Sequence, residues 1–301
     1  MTITGEVPDV QRAADDRARG DAVVSSPALR AVSDLHVNHD RNLKLLELIC
    51  PGHPDDWLLV AGDVGEAISD IEQALAMLCD RFARVVWVPG NHELWTVRRD
   101  RTALRGTARY QQLIAMCRRL GVLTPEDSYP VWDGPGGPAR VAPLFLLYDY
   151  SFLPPHATTS AGALAAARDA GVVCTDEFLL SPDPYRSLAE WCADRVAATE
   201  QRLTEHDDGV PLVLVNHWPL IREPTRALRH QEFALWCGTT RTADWHTRFD
   251  VAAVVYGHLH IPRRATYDAV RFEEVSIGYP AEWQRAGLRG DLARQILPAR
   301  P

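Results

Sequence analysis

Five short segments of the chain carry residue types that hold metals: Asp34-Leu35-His36, Gly62-Asp63, Gly90-Asn91-His92-Glu93, Asn216-His217 and Gly257-His258-Leu259-His260. Four imidazoles (His36, His217, His258, His260), two carboxylates (Asp34, Asp63) and one amide oxygen (Asn91) are more donors than a single tetrahedral zinc accepts. They suit two ions. Mixed nitrogen and oxygen donors favour Mn, Fe, Zn or Co, whereas oxygen-only sets favour Mg or Ca. A carboxylate central to the set, as Asp63 is, can bridge two cations about 3.5–4 Å apart, the separation used for in-line displacement at phosphorus.

Such residues act together only if the fold gathers them, and the sequence supplies a means. Each segment directly follows a short apolar run: Leu29 to Ser33, Trp57 to Ala61, Val85 to Val88, Pro211 to Val215 and Val251 to Val255. These runs are too short and too rich in β-branched residues for helices, and read as buried strands. Stretches periodic at helical spacing lie between them, at Arg41 to Cys50, Ile68 to Phe82, Leu104 to Leu120, Ala161 to Ala170 and Ser187 to Leu203. The alternation defines an α/β fold. In an open α/β sheet the carboxyl ends of the strands share one rim, which would bring the five segments together. Gly62, Gly90 and Gly257 precede ligands where the chain must turn off a strand without a Cβ in the way. The His-x-His spacing at 258 and 260, and Asp-x-His at 34 and 36, put both members on one face of extended chain.

A strand is also expected over Val141 to Tyr148, after the turn-rich Asp133 to Pro138, and a closing hairpin over Arg264 to Ile277. Residues 1–27 lack a sustained apolar period and read as a mobile leader, leaving 28–301 as a single domain with a loop-rich, cap-like insertion at roughly 149–186. The start of the chain has neither the basic nor the apolar region of a secretory signal, and no run is long and apolar enough for a membrane span. Six scattered cysteines without CxxC spacing read as buried thiols in a reducing cytosol, so the expected location is cytoplasmic and no membrane partner is expected. With 32 Lys plus Arg against 40 Asp plus Glu, the net charge of -8 offers no general attraction to nucleic acid, which is an unexpected partner.

The ordered set D-x-H, G-D, G-N-H-E, N-H and G-H-x-H, from Asp34 to His260, resembles the calcineurin-like metallophosphoesterase superfamily. The resemblance implies a four-layer α/β/β/α metallophosphoesterase sandwich with a dinuclear centre at the sheet rim. One metal would take Asp34, His36, Asp63 and His260, the other Asp63, Asn91, His217 and His258. Two divalent ions, Mn first and Fe, Zn or Co as alternatives, would be the cofactors. His92 would not be a ligand but would protonate the leaving group after in-line attack by a metal-bridging hydroxide, with Glu93 as the candidate to orient its ring.

Asn38 and His39, which follow the first metal loop, and the aromatics Trp218 and Tyr150 are candidate substrate contacts. The Gly62-Asp63-Val64-Gly65-Glu66 block lacks the arginine with which protein phosphatases of the superfamily hold phosphate. The expected activity is therefore hydrolysis of a small soluble phosphate ester, taken as a monoester (a phosphatase). The alternative is a phosphodiesterase of the cyclic nucleotide or glycerophosphodiester type, which the His-x-Pro at His217 to Pro219 keeps open. A non-catalytic scaffold of the same fold ranks below both, because the proton donor and all seven ligand positions are present.

Overall fold

The computed structural model describes residues 26–98, 100, 103–206, 208–287 and 291–299. The expected leader lies outside them, apart from Ser26 and Pro27. In chain order the elements are β1 (Leu29–Val32), α1 (Asp40–Leu46), β2 (Trp57–Val60), α2 (Ile68–Cys79), β3 (Arg84–Trp87), α3 (Asn91–Leu94) and α4 (Gly106–Arg119). There follow β4 (Val131–Trp132), β5 (Ala139–Pro143), α5 (Ser160–Asp169), α6 (Asp176–Leu179), α7 (Leu188–Glu205), β6 (Leu212–Val215), α8 (Trp245–Arg248), β7 (Val251–Tyr256), β8 (Arg263–Tyr267), β9 (Val270–Glu274), α9 (Pro280–Ala286) and β10 (Arg294–Leu297). Short 3-10 turns, including Gln231–Trp236, fill the passage from β6 to α8.

The strands form two sheets, one ordered β10-β1-β2-β3 and the other β4-β5-β6-β7-β9-β8. Side-chain alternation sorts each strand between two cores. Leu29, Ala31, Leu59, Ala61, Val86, Val88, Val213, Val215, Ala253 and Val255 face inward and fill the space between the sheets. The alternate residues Val32, Leu58, Val60, Val85 and Trp87 join Ile71, Leu75, Leu113 and Ile114 of α2 and α4 outside the first sheet. Leu214, Val254 and Tyr256 share that outer core with Trp191 and Cys192 of α7 and Trp245 of α8. The architecture is thus the α/β/β/α sandwich, its central strands β1, β2, β6 and β7 buried on both faces, as continuous apolar strands require, and the edge strand β8 part-exposed.

Several expected elements differ. The strand expected to reach Tyr148 stops at Pro143, beyond which the chain turns away, with Leu147 at φ +63°; proline also has no N–H for a ladder. The helix expected to Cys50 ends at Leu46, before the Pro51-Gly52 turn. Strand β10, four residues Arg-Gln-Ile-Leu, was not visible as a separate apolar run and pairs antiparallel with β1.

The two sheets are pinned at this edge. Glu273 of β9, fully buried, accepts from Arg264 of β8 (2.7 Å) and Arg271 (3.2 Å), and from Arg294 of β10 in the other sheet (3.2 Å). A few residues further on, at the rim that carries the metal loops, the chain leaving β9 runs beside the end of β1, with Ile277 N donating to Ser33 O at 2.9 Å and Gly278 N to Asp34 O at 3.1 Å. Glu273→Ala removes the carboxylate that three guanidinium groups share at a closed edge. Because those groups keep partial access to water, the expected loss is about 3 kcal/mol, the lower end for breaking a buried ion pair. Urea unfolding should show this loss with metal content per folded molecule unchanged.

Candidate metal centre

The five segments meet where the carboxyl ends of β1, β2 and β3 face those of β6 and β7. Five ligand candidates, Asp34, His36, Asp63, His258 and His260, take left-handed backbone conformations with φ between +43° and +69°. Asp, Asn and His tolerate this region better than most residues, yet each instance costs on the order of 1–3 kcal/mol and must be held by its surroundings. Backbone bonds between segments do this: Asp34 N to Gly62 O (2.9 Å), His36 N to Asp63 O (3.0 Å) and Gly257 N to His217 O (2.9 Å). The preceding glycines serve two needs. Gly62 has φ +89°, whereas Gly257 admits close approach, since a Cβ there would overlap Ser33 Oγ and the Asp34 carboxylate.

Donor atoms within 4.8 Å of one another form three overlapping groups: Asp34, His36 and His260; Asp63, His217 and His258; and His36, Asp63 and His92. In the first, His260 Nε2 lies 2.9 Å from Asp34 Oδ1 and 3.2 Å from His36 Nε2. In the second, Asn91 Oδ1 lies 3.1 Å from His217 Nε2 and 3.2 Å from His258 Nδ1, the two imidazole nitrogens are 3.2 Å apart, and Asp63 Oδ2 is 3.4 Å from His217 Nε2. Such spacings are those between neighbouring ligands on an ion with bonds of about 2.1 Å. Asp63 stands between the two groups.

Outer contacts aim the lone pairs. His217 Nδ1 donates to Ala61 O at 2.8 Å, leaving Nε2 as the free acceptor, and His260 Nδ1 donates to Glu282 Oε2 at 2.7 Å to the same effect. Asp176 Oδ1 accepts from Asn91 Nδ2 (2.9 Å) and from Trp95 Nε1 (2.6 Å), so the amide oxygen of Asn91 turns toward the imidazoles. Ser276 Oγ contacts Asp34 Oδ2 at 2.6 Å.

Burial opposes ionisation of Asp34 and Asp63, but the facing histidines, chiefly His260 for Asp34 and His217 for Asp63, hold both carboxyls below the usual range. The same attraction outweighs burial at His217 and raises its pKa to about 9, while burial and the neighbouring His217 push His258 down to about 3. Two buried anions facing nitrogen donors form a field that divalent cations would neutralise, releasing imidazole protons as they bind. The donor set therefore fits a pair of divalent ions.

His92, on α3, packs closely on Trp95 (3.6 Å between ring centres, planes tilted by 32°), its Nε2 lies 3.8 Å from Asp63 Oδ2, and its Nδ1 lies 3.6 Å from Glu66 Oε1. Burial opposes its charge, but Asp63, Glu66 and Asp176 together raise its pKa. Glu93 does not orient this ring. Its carboxylate accepts from the backbone of Gly90 (2.9 Å), Asp63 (2.9 Å) and Val64 (2.7 Å), tying the second and third metal loops together, because α3 turns its side chain away from that of His92.

The expected substrate contacts fare differently. Trp218 is 0% exposed and packs edge-on against His217, so its ring offers a substrate no surface. The Tyr150 hydroxyl donates to Glu177 (3.0 Å) and the Asn38 amide to Glu66 (3.3 Å), and neither lines the cavity at the centre. His39 is exposed, edge-on to Tyr279 at 5.7 Å. That cavity, about 220 Å³, is bounded by Asp63, Asn91, His92, His258, His260 and Glu282, with Phe233, Leu259 and Tyr279 as its aromatic and apolar wall. Sequence reasoning missed Glu66, Asp176, Phe233, Tyr279 and Glu282. Only Glu66 had a signal, lying in the Gly-Asp block itself.

The calcineurin-like phosphoesterase family profile matches residues 29–262. The chain belongs to that family and is a metal-dependent phosphoric ester hydrolase. It is 55% identical over 278 residues to the [acyl-carrier-protein] phosphodiesterase PptH of Mycobacterium tuberculosis, covering 92% of this chain and 86% of that protein. The crystal structure of phosphopantetheinyl hydrolase (PptH) from Mycobacterium tuberculosis superposes with a TM-score of 0.90 over 92% of this chain and 98% of that one, at 55% identity. A putative 5'-nucleotidase from Staphylococcus aureus aligns with a TM-score of 0.43 and 12% identity over 83% of this chain and 48% of that chain, too distant to inform the site. The relative of known activity is a phosphodiesterase, which favours the diester alternative over the monoester expectation. Among the described residues, no helix is long and apolar enough to cross a membrane.

Outer partners of metal ligands are commonly worth 10–100-fold in metal affinity. Asp176→Ala frees the Asn91 amide to rotate, and we expect divalent-ion affinity to weaken by about 10–100-fold in competition with a chelator. The fold should be retained, as read by circular dichroism; unchanged affinity would remove Asp176 from the centre.

Proposed function

We propose that this protein is a phosphodiesterase that releases phosphopantetheine from a carrier protein, using two divalent ions, Mn first among them. The cavity wall is the observation that carries the reading. A phosphomonoester brings a dianion and calls for cationic side chains, yet among the described residues lining the cavity there is neither Lys nor Arg, and Glu282 adds negative charge. A diester brings one negative charge and a second organic substituent, which Phe233, Leu259 and Tyr279 can cover. The 55% identity to PptH over most of both chains supports phosphopantetheine as that substituent's class. The six free cysteines accord with a reducing, cytoplasmic setting.

In this reading Asp34, His36, Asp63 and His260 hold one ion, and Asp63, Asn91, His217 and His258 the other. Bound there, the ions supply positive charge for the phosphoryl oxygens and an activated water for in-line attack. The chain supplies the rest. Asp63, Glu66 and Asp176 favour the charged form of His92, which lines the cavity and in this reading donates its Nε2 proton to the carrier's departing oxygen as the P–O bond breaks. Trp95 restrains that ring by close packing.

Mn-loaded protein mixed with phosphopantetheinylated carrier protein should yield carrier lighter by the phosphopantetheine mass, and should cleave bis-p-nitrophenyl phosphate faster than p-nitrophenyl phosphate. A clear preference for the monoester, with the carrier left intact, would reject the reading. His92→Ala should keep both metals and lose about 10²–10⁴-fold in turnover of the carrier substrate; metal analysis beside initial rates separates the two effects.

A further inference from the structure

We propose that Tyr279 is a positioning residue for proton donation: its hydroxyl fixes His92 Nε2 in the cleft. This deepens the phosphoesterase reading and rests on His92 as the acid. Tyr279 lies beyond residue 262, where the family match ends, on a segment leaving β9 that returns over the centre. Three side chains of this segment reach the site. Ser276 touches Asp34, Tyr279 Oη lies 3.2 Å from His92 Nε2, and Glu282 holds His260. The segment is itself fastened: Gly278 O accepts from Asn42 Nδ2 (2.9 Å), Trp283 Nε1 donates to Asn42 Oδ1 (2.8 Å), and Tyr279 N donates to Glu282 Oε2 (2.8 Å).

The ring and the hydroxyl of Tyr279 have separable tasks. The ring stacks on His36 with centres 4.4 Å apart and planes at 22°, which is packing that phenylalanine would reproduce. The hydroxyl alone meets His92. Close packing on Trp95 restrains the plane of the imidazole, while on its Nδ1 side the ring meets Glu66 Oε1 only at 3.6 Å, beyond hydrogen-bond distance. Tyr279 Oη, at 3.2 Å, is the shorter contact and the one that fixes Nε2, whereas Glu66 and Asp63 face the ring nitrogens at 3.6 and 3.8 Å. A general acid must stand within about 2.6–3.2 Å of the oxygen it protonates, so a ring free to turn loses its productive geometry. Before reaction the one Nε2–H of charged His92 donates to Tyr279 Oη; as the P–O bond breaks that hydrogen shifts from Oη to the departing oxygen, which keeps the P–O electron pair, His92 becomes neutral, and Tyr279 retains its own proton throughout.

The test is Tyr279→Phe in the Mn-loaded full chain, assayed on diesters of graded leaving-group acidity from alkyl through phenyl to p-nitrophenyl. A good leaving group needs little protonation, so the defect should shrink from about 10-fold or more in kcat on the alkyl ester to less than about 3-fold on p-nitrophenyl. Two bound metals should remain, and His92→Ala should show the same trend more steeply. An equal loss across the series, no loss anywhere, or loss of metal would each overturn the assignment. Tyr279→Leu, which also removes the stack on His36, controls for packing: a uniform loss added to the graded one is expected, and a defect identical to that of the Phe variant would overturn the separation of ring and hydroxyl. Wild-type protein inert toward every diester would instead reject the phosphodiesterase reading, and the same series run on monoesters would still judge Tyr279 by its slope.

Discussion

Lone pairs that face one another at about 3 Å repel unless a proton or a cation lies between them. Around Asp63 the fold gathers imidazole nitrogens, carboxylate oxygens and an amide oxygen at separations of 2.9–3.4 Å. The nearest groups that could relieve the crowding are turned outward: His217 Nδ1 toward Ala61 and His260 Nδ1 toward Glu282. Such an arrangement opposes folding unless positive charge stabilises it. Much of the architecture at this rim serves to hold it in place.

The supporting structure is distributed over both sheets. Left-handed backbone at five ligand positions is secured by bonds from one loop to the next, and Glu93 draws three backbone amides into a single buried carboxylate. Because β1, β2 and β3 belong to one sheet and β6 and β7 to the other, the geometry of the centre depends on how the sheets pack. The inter-sheet core of small and branched side chains sets that distance, and the segment after β9 closes the seam from the far side. Catalytic geometry and fold stability are therefore coupled at the rim.

Much of this was legible in the sequence because each donor segment directly follows an apolar strand, and strand ends of an α/β sheet converge without reference to loop detail. The β-α-β-α-β opening and the hairpin near the C-terminus follow from the same local pattern. What was hidden depends on contacts between distant positions. Asp176 reaches Asn91 across 85 residues and Tyr279 reaches His92 across 187, with no local periodicity to mark either. Trp218 shows the opposite error: adjacency to His217 suggested a substrate contact, but its ring enters the core. Glu93 sits beside His92 in sequence and still serves the backbone, because a four-residue helix separates the two side chains.

The central claim is that Asp63 is shared by two cations held by these loops. Anomalous scattering from crystals of Mn-loaded protein addresses it directly. The account predicts two peaks about 3.5–4 Å apart on either side of the Asp63 carboxylate, one beside Asp34, His36 and His260 and the other beside Asn91, His217 and His258. A single peak, or peaks bound away from Asp63, would contradict it.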